Sequence, residues 1–406
     1  MTIHVVGGLY REFCVRPSWS QLYGSAGRAA AAIATMGDDV VFHTYATPLA
    51  AEEFCNYAIM LQASVRVEPV ACNTTLYFRY LHDSSRPDIF GVPDTQLDSI
   101  MLKQDKIVRF GMLEGDAVID AEWAVYDPQN AGAVQRFAAN GSKAKHLALV
   151  LNLTEARAMC GEPQATAEAC VRMLAASDGA EVVIIKMGPA GAFVWAQGDI
   201  HKVPAYKTSS VWKIGSGDMF VAHFARAWMN EGMPAHEAAA FASKATAYYC
   251  EKRTIPYPQL LTDFNPAEIK IKPEFLDGKK PQVYLAGPFF DTAQVWFIEE
   301  ARTNLREMGF KVFSPFHDIG MGAAVDVVKL DIDGIKNSDI LFAVVDGLDA
   351  GTIYEVGYAR ALDKPVVILC ERESEESMKM AEGTACVISR TYTSALYAAL
   401  WAAISQ

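Results

Sequence analysis

No stretch of this 406-residue chain reaches the roughly 20 consecutive apolar residues of a membrane span. The start, Met1-Thr2-Ile3-His4, lacks the charged-then-apolar pattern of a secretory leader. Cysteine is sparse and scattered: eight residues with no Cys-x-x-Cys pair and no zinc spacing, so reduced thiols in a cytoplasmic protein are expected. The eight histidines are equally dispersed, which argues against a metal cage built from them. Basic residues are outnumbered, 36 Lys and Arg against 48 Asp and Glu, for a net charge of −12. A nucleic-acid partner, which needs a basic face, is therefore not expected, and neither is a membrane.

What remains is the composition of an ordered globular protein, 51% hydrophobic and 21% charged, in a chain long enough for two domains. A strand followed by glycine occurs twice, at Ile3-His4-Val5-Val6-Gly7-Gly8 and again at Val283-Tyr284-Leu285-Ala286-Gly287-Pro288. Between them, residues 263–280 are rich in Pro, Lys, Glu and Asp and lose apolar periodicity, as a linker does. The expected organisation is a domain over 1–262, a linker over 263–280 with its boundary near 278, and a second domain over 281–406. Short β-branched runs (Val182–Ile185, Lys311–Phe313, Pro365–Leu369) alternate with alanine-rich helical patterns (Ala29–Met36, Ala235–Tyr249, Glu299–Met308), which means α/β with parallel sheets covered by helices.

The strongest local signal follows the strand-like run Ile340–Val345: Asp349-Ala350-Gly351-Thr352-Ile353-Tyr354-Glu355-Val356-Gly357-Tyr358-Ala359. One carboxylate sits in the loop after a buried strand and another in the first turns of the following helix, where an open α/β sheet puts its chemistry. Carboxylates around one pocket suit cleavage of a glycosidic bond. Upstream lie Tyr284-Leu285-Ala286-Gly287-Pro288-Phe289-Phe290 and Asp331-Ile332-Asp333-Gly334-Ile335-Lys336-Asn337-Ser338-Asp339.

In this order, over residues 282 to about 370, these motifs resemble the nucleoside 2-deoxyribosyltransferase family. The resemblance implies a Rossmann-like (flavodoxin-like) parallel sheet and gives Glu355 the role of nucleophile on the anomeric carbon. It sets Tyr284 beside Glu355, makes Asp331 the acid that assists base departure, and gives Asp349 to the sugar 5′-hydroxyl. Gly287 and Phe289 are the further substrate-binding candidates of the first motif. A carboxylate at 349 accepts from a hydroxyl and repels a phosphate dianion, so a free 5′-OH is expected. The family completes its site with an Asn and a terminal carboxylate from a neighbouring subunit; residues 383–392 hold no clear Asn counterpart, and the tail is apolar. Hydrolysis and transfer to a second base both stay open.

In the first domain, Ile214-Gly215-Ser216-Gly217-Asp218 precedes a helix running to about Met229. Glycines at a helix N-terminus let N–H groups converge on an anion, and Asp218 can take a proton from an attacking hydroxyl. Together with Gly24–Ala30, Asn152-Leu153-Thr154-Glu155 and Ile185–Gly191, this resembles the ribokinase-like (PfkB) carbohydrate and nucleoside kinases over about residues 1–260. The resemblance implies a three-layer α/β/α domain that uses ATP and Mg²⁺. Asp218 would be its catalytic base, with Gly215, Ser216, Gly217, Asn152, Gly188 and Gly191 on the nucleotide and Glu155 organising the metal, through water if not directly. A polar strand pair around Thr74–Arg79 would form a substrate lid.

The departures lie where the acceptor binds. Arg28 stands in place of the family's usual Asn, Tyr10-Arg11-Glu12 in place of an N-x-D pair, and Trp212-Lys213-Ile214 in place of acidic and threonine residues. Glu12 and Arg28 become substrate-binding candidates, with a solvated helix position as the other fate of Arg28.

The expectation is a two-domain enzyme acting on a small nucleoside or nucleotide: cleavage of the N-glycosidic bond without a cofactor, then ATP-dependent phosphorylation of the released pentose. The alternative makes the first domain an inactive nucleotide-binding regulator of a nucleotide- or NAD-cleaving glycosidase. Both families commonly assemble, so a homo-oligomer is expected by resemblance.

Overall fold

The computed structural model describes residues 2–129, 134–276, 279–320 and 322–405, which separate into two compact units. Unit 1 holds Met1–Thr208 and Trp212–Glu268; unit 2 holds Ser209–Val211 and Ile269–Gln406. The boundary expected near residue 278 lies outside the described residues. Of the stretch read as a linker, Glu268 bridges to Tyr206 in unit 1, whereas the Lys272 N–H donates to the Ile404 carbonyl in unit 2.

In unit 1 the chain runs β1 (Thr2–Val6), β2 (Arg11–Arg16), β3 (Trp19–Leu22), α1 (Gly24–Thr35), β4 (Asp39–Ala46), α2 (Pro48–Met60), β5 (Val65–Ala71), β6 (Tyr77–His82) and β7 (Asp88–Phe90). It continues through β8 (Ile100–Phe110), β9 (Ala117–Asp127), β10 (Lys143–Asn152), α3 (Leu153–Cys160), α4 (Ala167–Asp178), β11 (Val182–Lys186), β12 (Ala192–Ala196), β13 (Asp199–Val203), α5 (Ser216–Met229), α6 (Ala235–Lys252) and α7 (Pro258–Asp263). The large sheet has the order β13-β12-β11-β10-β9-β8-β1-β4-β5, parallel except for the β11-β12-β13 edge.

Residues Leu147–Leu151 of β10 and Val182–Ile185 of β11 are buried without alternation, as expected of a sheet covered on both faces. One cluster packs α1 and α5 on one face, and another packs α3 and α4 on the other. Helix α5 is apolar nearly all round and buries Phe220, Phe224 and Trp228 in the core cluster that also holds the alanines of α1. Truncating such an aromatic to Ala typically costs about 3–5 kcal/mol.

A second sheet, β3-β2-β6-β7, contains the residues read as a lid. The Thr74–Arg79 stretch supplies the start of β6, which pairs antiparallel with β7 and in parallel with β2, Glu12 opposite Phe78. The ring of Phe78 stacks on Tyr10 with centroids 5.0 Å apart.

Unit 2 runs α8 (Pro273–Leu276), β14 (Gln282–Ala286), α9 (Thr292–Glu307), β15 (Lys311–Phe313), α10 (Pro315–Asp318), α11 (Ala324–Asn337), β16 (Ile340–Val344), α12 (Ala350–Ala361), β17 (Val366–Leu369), α13 (Glu375–Gly383), β18 (Val387–Ser389) and α14 (Tyr392–Ile404). Its sheet is all parallel in the order β15-β14-β16-β17-β18, which is the 2-1-3-4-5 order of flavodoxin-like folds. The order reverses at β14, so a crevice opens beyond the carboxyl ends of β14 and β16. The Gly287 and Asp346–Asp349 loops leave the sheet there. No described helix is long and apolar enough to cross a membrane.

Candidate active sites

In unit 2 the carboxylate of Glu355, on the second turn of α12, accepts a 2.6 Å hydrogen bond at Oε1 from the Tyr284 hydroxyl. Tyr284 lies on β14, between β15 and β16, is fully buried and stacks on Phe313 at 5.5 Å. Gly334 makes room for that ring: a Cβ there would lie 2.3 Å from Phe313 Cε1. The glycine of the Asp-x-Asp-Gly motif thus lets α11 approach the sheet and carry Asp331 toward the Tyr284–Glu355 pair.

Burial pushes Glu355 up to about 7, with Asp331 and Asp349 adding repulsion and the Tyr284 hydrogen bond working against both. Burial also raises Asp331, whose Oδ1 is enclosed without a hydrogen-bond partner. A protonated Asp331 would have a donor to offer a departing base.

Asp349 caps α12: its Oδ2 accepts from both the backbone N–H and the hydroxyl of Thr352, each at 2.8 Å. Phe289 is half-buried against Phe316, ring centroids 5.1 Å apart, while Phe290 is exposed. Gly287 serves packing, since a Cβ there would meet Ile298 Cδ1 of α9 at 2.5 Å. A separate apolar groove of about 750 Å³ between α12 and α13, lined by Ile353, Val356 and Met378 among others, includes none of these carboxylates. It faces away from the chemistry, because its α12 residues lie on the side of the helix opposite Glu355.

In unit 1 the sequence-derived candidates meet in an arrangement that differs from the expectation at its centre. Arg28 is not a solvated helix residue; it is fully buried. Its Nη1 donates to Asp218 Oδ2 at 2.5 Å, its Nη2 donates to Glu12, and its guanidinium lies over the Tyr23 ring. The other oxygen of Asp218 accepts from Gln129 Nε2 at 2.7 Å, so both oxygens of the expected base are engaged. Gln129 in turn accepts from Ser25, and Lys186 Nζ donates to Asp127 Oδ2 at 2.7 Å.

Against the two cations Arg28 and Lys186 stand three buried carboxylates, Glu12, Asp127 and Asp218. Burial pushes both Glu12 and Asp127 up to about 7 despite their cationic partners.

Gly215 holds φ +78°, and a Cβ there would lie 2.2 Å from Arg28 Nε, so the guanidinium abuts the turn read as the anion hole. The Lys186 ammonium lies beside the same turn, 3.5 Å from where a Cβ of Gly217 would stand. Asn152 and Glu155 form a reciprocal capping box on α3, Asn152 Oδ1 accepting from the Glu155 N–H and Glu155 Oε2 from the Asn152 N–H, both at 2.8 Å. Gly188 and Gly191 form a turn with φ +52° and +86°, and a Cβ on Gly191 would collide with the Val203 carbonyl at 2.0 Å.

Ser216, the first residue of α5, donates its backbone N–H to the Lys213 carbonyl. The described residues contain no cluster of three His, Cys, Asp or Glu side chains able to hold a metal ion. The glycine turn and the Lys186 ammonium offer donors to an anion, and Glu155, with Oε2 engaged in the α3 capping box, keeps Oε1 for a magnesium ion or its water.

Asp127, Gln129 and Lys186 were not singled out from the sequence. Their only signal was a strand ending in Asp127-Pro128 and a lysine inside the Ile185–Gly191 motif.

Comparison with known proteins agrees with this division. Residues 125–257 match the pfkB family carbohydrate kinase, and residues 283–386 match nucleoside 2-deoxyribosyltransferase. Among curated proteins no sequence matches the chain.

Solved structures similar to the chain include the fructokinase of Vibrio cholerae O395, with fructose, ADP and calcium bound. It is 14% identical at a TM-score of 0.50, covering 65% of this chain and 98% of its own. Arabidopsis thaliana ribokinase, complexed with ribose and ATP, is 17% identical at 0.49, with coverage of 65% and 98%. Escherichia coli phosphofructokinase-2 is 13% identical at 0.49, with coverage of 65% and 97%. At such identities the likeness is one of fold, and unit 1 has the ribokinase-like kinase fold. The chain thus joins two enzyme-family domains, a PfkB-type kinase fold and a nucleoside deoxyribosyltransferase-like domain.

Proposed function

We propose that unit 2 cleaves the N-glycosidic bond of a nucleoside with a free 5′-hydroxyl through a glycosyl–Glu355 intermediate. The observation that carries this is the half-buried Glu355 held by the Tyr284 hydroxyl, with two further carboxylates close enough to raise its proton affinity. The hydrogen bond on Oε1 leaves Oε2 for the anomeric carbon. As Oε2 bonds to that carbon, the C–N bond breaks and its electron pair stays with the base nitrogen, which takes the proton of Asp331. Water hydrolyses the resulting ester, or the nitrogen of a second base displaces Glu355 and completes a transfer. Asp331 recovers its proton in either case.

The test is incubation with a nucleoside panel, with and without an acceptor base, using the wild type and Glu355→Ala. Free base released at the same rate by both proteins would remove Glu355 from the mechanism.

For unit 1 the kinase reading, with ATP, Mg²⁺ and Asp218 as base, is weakened by one observation: Arg28 and Gln129 engage both Asp218 oxygens. A general base must turn a lone pair to the acceptor hydroxyl, and both oxygens here are already turned to protein donors. Glu12, the other acceptor-side candidate, is paired to the same Arg28. The better-supported reading is a module that binds a nucleotide phosphate beside Gly217 and Lys186 without transferring it. ATP turnover on a panel of pentoses and nucleosides, abolished by Asp218→Asn, would restore the kinase.

A further inference from the structure

We infer that Thr352 is a specificity-determining positioning residue: it orients Asp349 so that one carboxylate oxygen is reserved for the 5′-hydroxyl of the nucleoside. The inference rests on the glycosidase reading of unit 2 and extends it to a residue that contacts no substrate itself.

An N-cap aspartate needs only one backbone N–H to do its structural work. Asp349 receives that bond from Thr352, the third residue of α12, where a β-branched side chain is no asset to a helix. Thr352 nevertheless adds a second bond, its buried hydroxyl donating to the same Oδ2 at 2.8 Å. Both donors converge on one oxygen. Gly351 keeps that convergence open, since a Cβ there would sit 3.2 Å from Oδ2 and crowd it.

With the cap bond alone, a carboxylate can swing about its terminal torsion and redirect its unbonded oxygen. With two donors on Oδ2 that swing strains two hydrogen bonds, so the carboxylate plane is held and Oδ1 keeps its lone pairs for a donor from the substrate. A hydroxyl can donate to it, whereas a hydrogen or a phosphate dianion at the 5′-position cannot.

The test compares wild type, Thr352→Val and Thr352→Ser in the full chain. The substrates are 2′-deoxyadenosine, 2′-deoxyinosine and thymidine, each beside its counterpart lacking the 5′-hydroxyl. The wild type should prefer the 5′-hydroxylated member of the pair it cleaves. Thr352→Val should lose about tenfold in kcat/KM on that member, as expected for one hydrogen bond to a charged group, and little on the other, while Thr352→Ser should keep the preference.

Equal losses on both members, retention of the preference by Thr352→Val, or loss of it in Thr352→Ser would overturn the assignment. Thr352→Ala makes the same comparison if the Val variant does not fold. A wild type that cleaves both members equally would remove Asp349 from 5′ recognition and Thr352 with it, leaving Glu355 in place. A wild type that cleaves none would refute the glycosidase reading itself.

Discussion

Replacing Tyr284 by Phe removes one oxygen from a fully buried side chain and keeps its stacking on Phe313, so the change isolates the hydrogen bond to Glu355. A hydrogen bond to a charged group contributes about 1.5–3 kcal/mol, and each pKa unit corresponds to about 1.4 kcal/mol. Glu355, held at about 7 with the bond present, should therefore rise by roughly one to two units without it. The nucleophile must be ionised, so kcat/KM rises with pH through the Glu355 pKa. In the wild type the acid limb should be centred near 7. In Tyr284→Phe it should be centred at about 8–9, with a fall of roughly five- to fiftyfold at neutral pH that is recovered with rising pH as far as Asp331 keeps its proton. The assay is release of free base across a pH series. An unmoved limb, or a loss of the same factor at every pH, would show that Tyr284 does not act through the ionisation of Glu355.

The same elevation predicts a stability effect. Between the ordinary value of 4.5 and about 7, folded Glu355 keeps its proton while the unfolded chain releases it, so its contribution to stability falls as pH rises through that window. Glu355→Gln should accordingly raise the unfolding free energy of unit 2 above pH 7, by up to roughly 3 kcal/mol, and change it little near pH 4; a variant no more stable than wild type at pH 8 would contradict this. In unit 1, Arg28→Met leaves Glu12 and Asp218 buried without their cation and should cost about 3–5 kcal/mol in urea unfolding. The cost should be smaller at pH 5, where Glu12 takes up a proton, and a loss no larger than that of the exposed Arg172→Met would refute the buried network. Gly198→Ala should cost about 1–2 kcal/mol from its left-handed backbone alone, with nothing near its Cβ. Gly215→Ala should cost clearly more, because the Arg28 guanidinium must leave its partners; equal melting temperatures for the two would count against that contact.

Much of the fold follows from local chemistry. Unalternated apolar runs such as Ile340–Val344 are stable only inside a sheet covered on both faces, and alanine-rich segments such as α1 are stable only as packed helices. Glycine-ended strands and carboxylates at strand ends are equally local, so the order Tyr284, Asp331, Asp349, Glu355 and the turn before Asp218 were legible along the chain. Helix bounds were less so: the helix expected over Glu299–Met308 begins at Thr292, where Asp291 caps it. Partnership depends on the third dimension. Arg28 and Asp218 are 190 residues apart, and only the packing of α1 against α5 closes a guanidinium onto the expected base. Gln129 reaches Asp218 across 89 residues, and no spacing rule links a loop amide to a helix-start carboxylate. The burial that lifts Glu355 and isolates Asp331 Oδ1 likewise belongs to the crevice between β14 and β16, because desolvation is a property of surroundings that no single segment carries. Residue type and order thus determined which chemistry the chain has to hand, and the tertiary structure decided that one carboxylate meets a buried tyrosine hydroxyl and another a buried guanidinium.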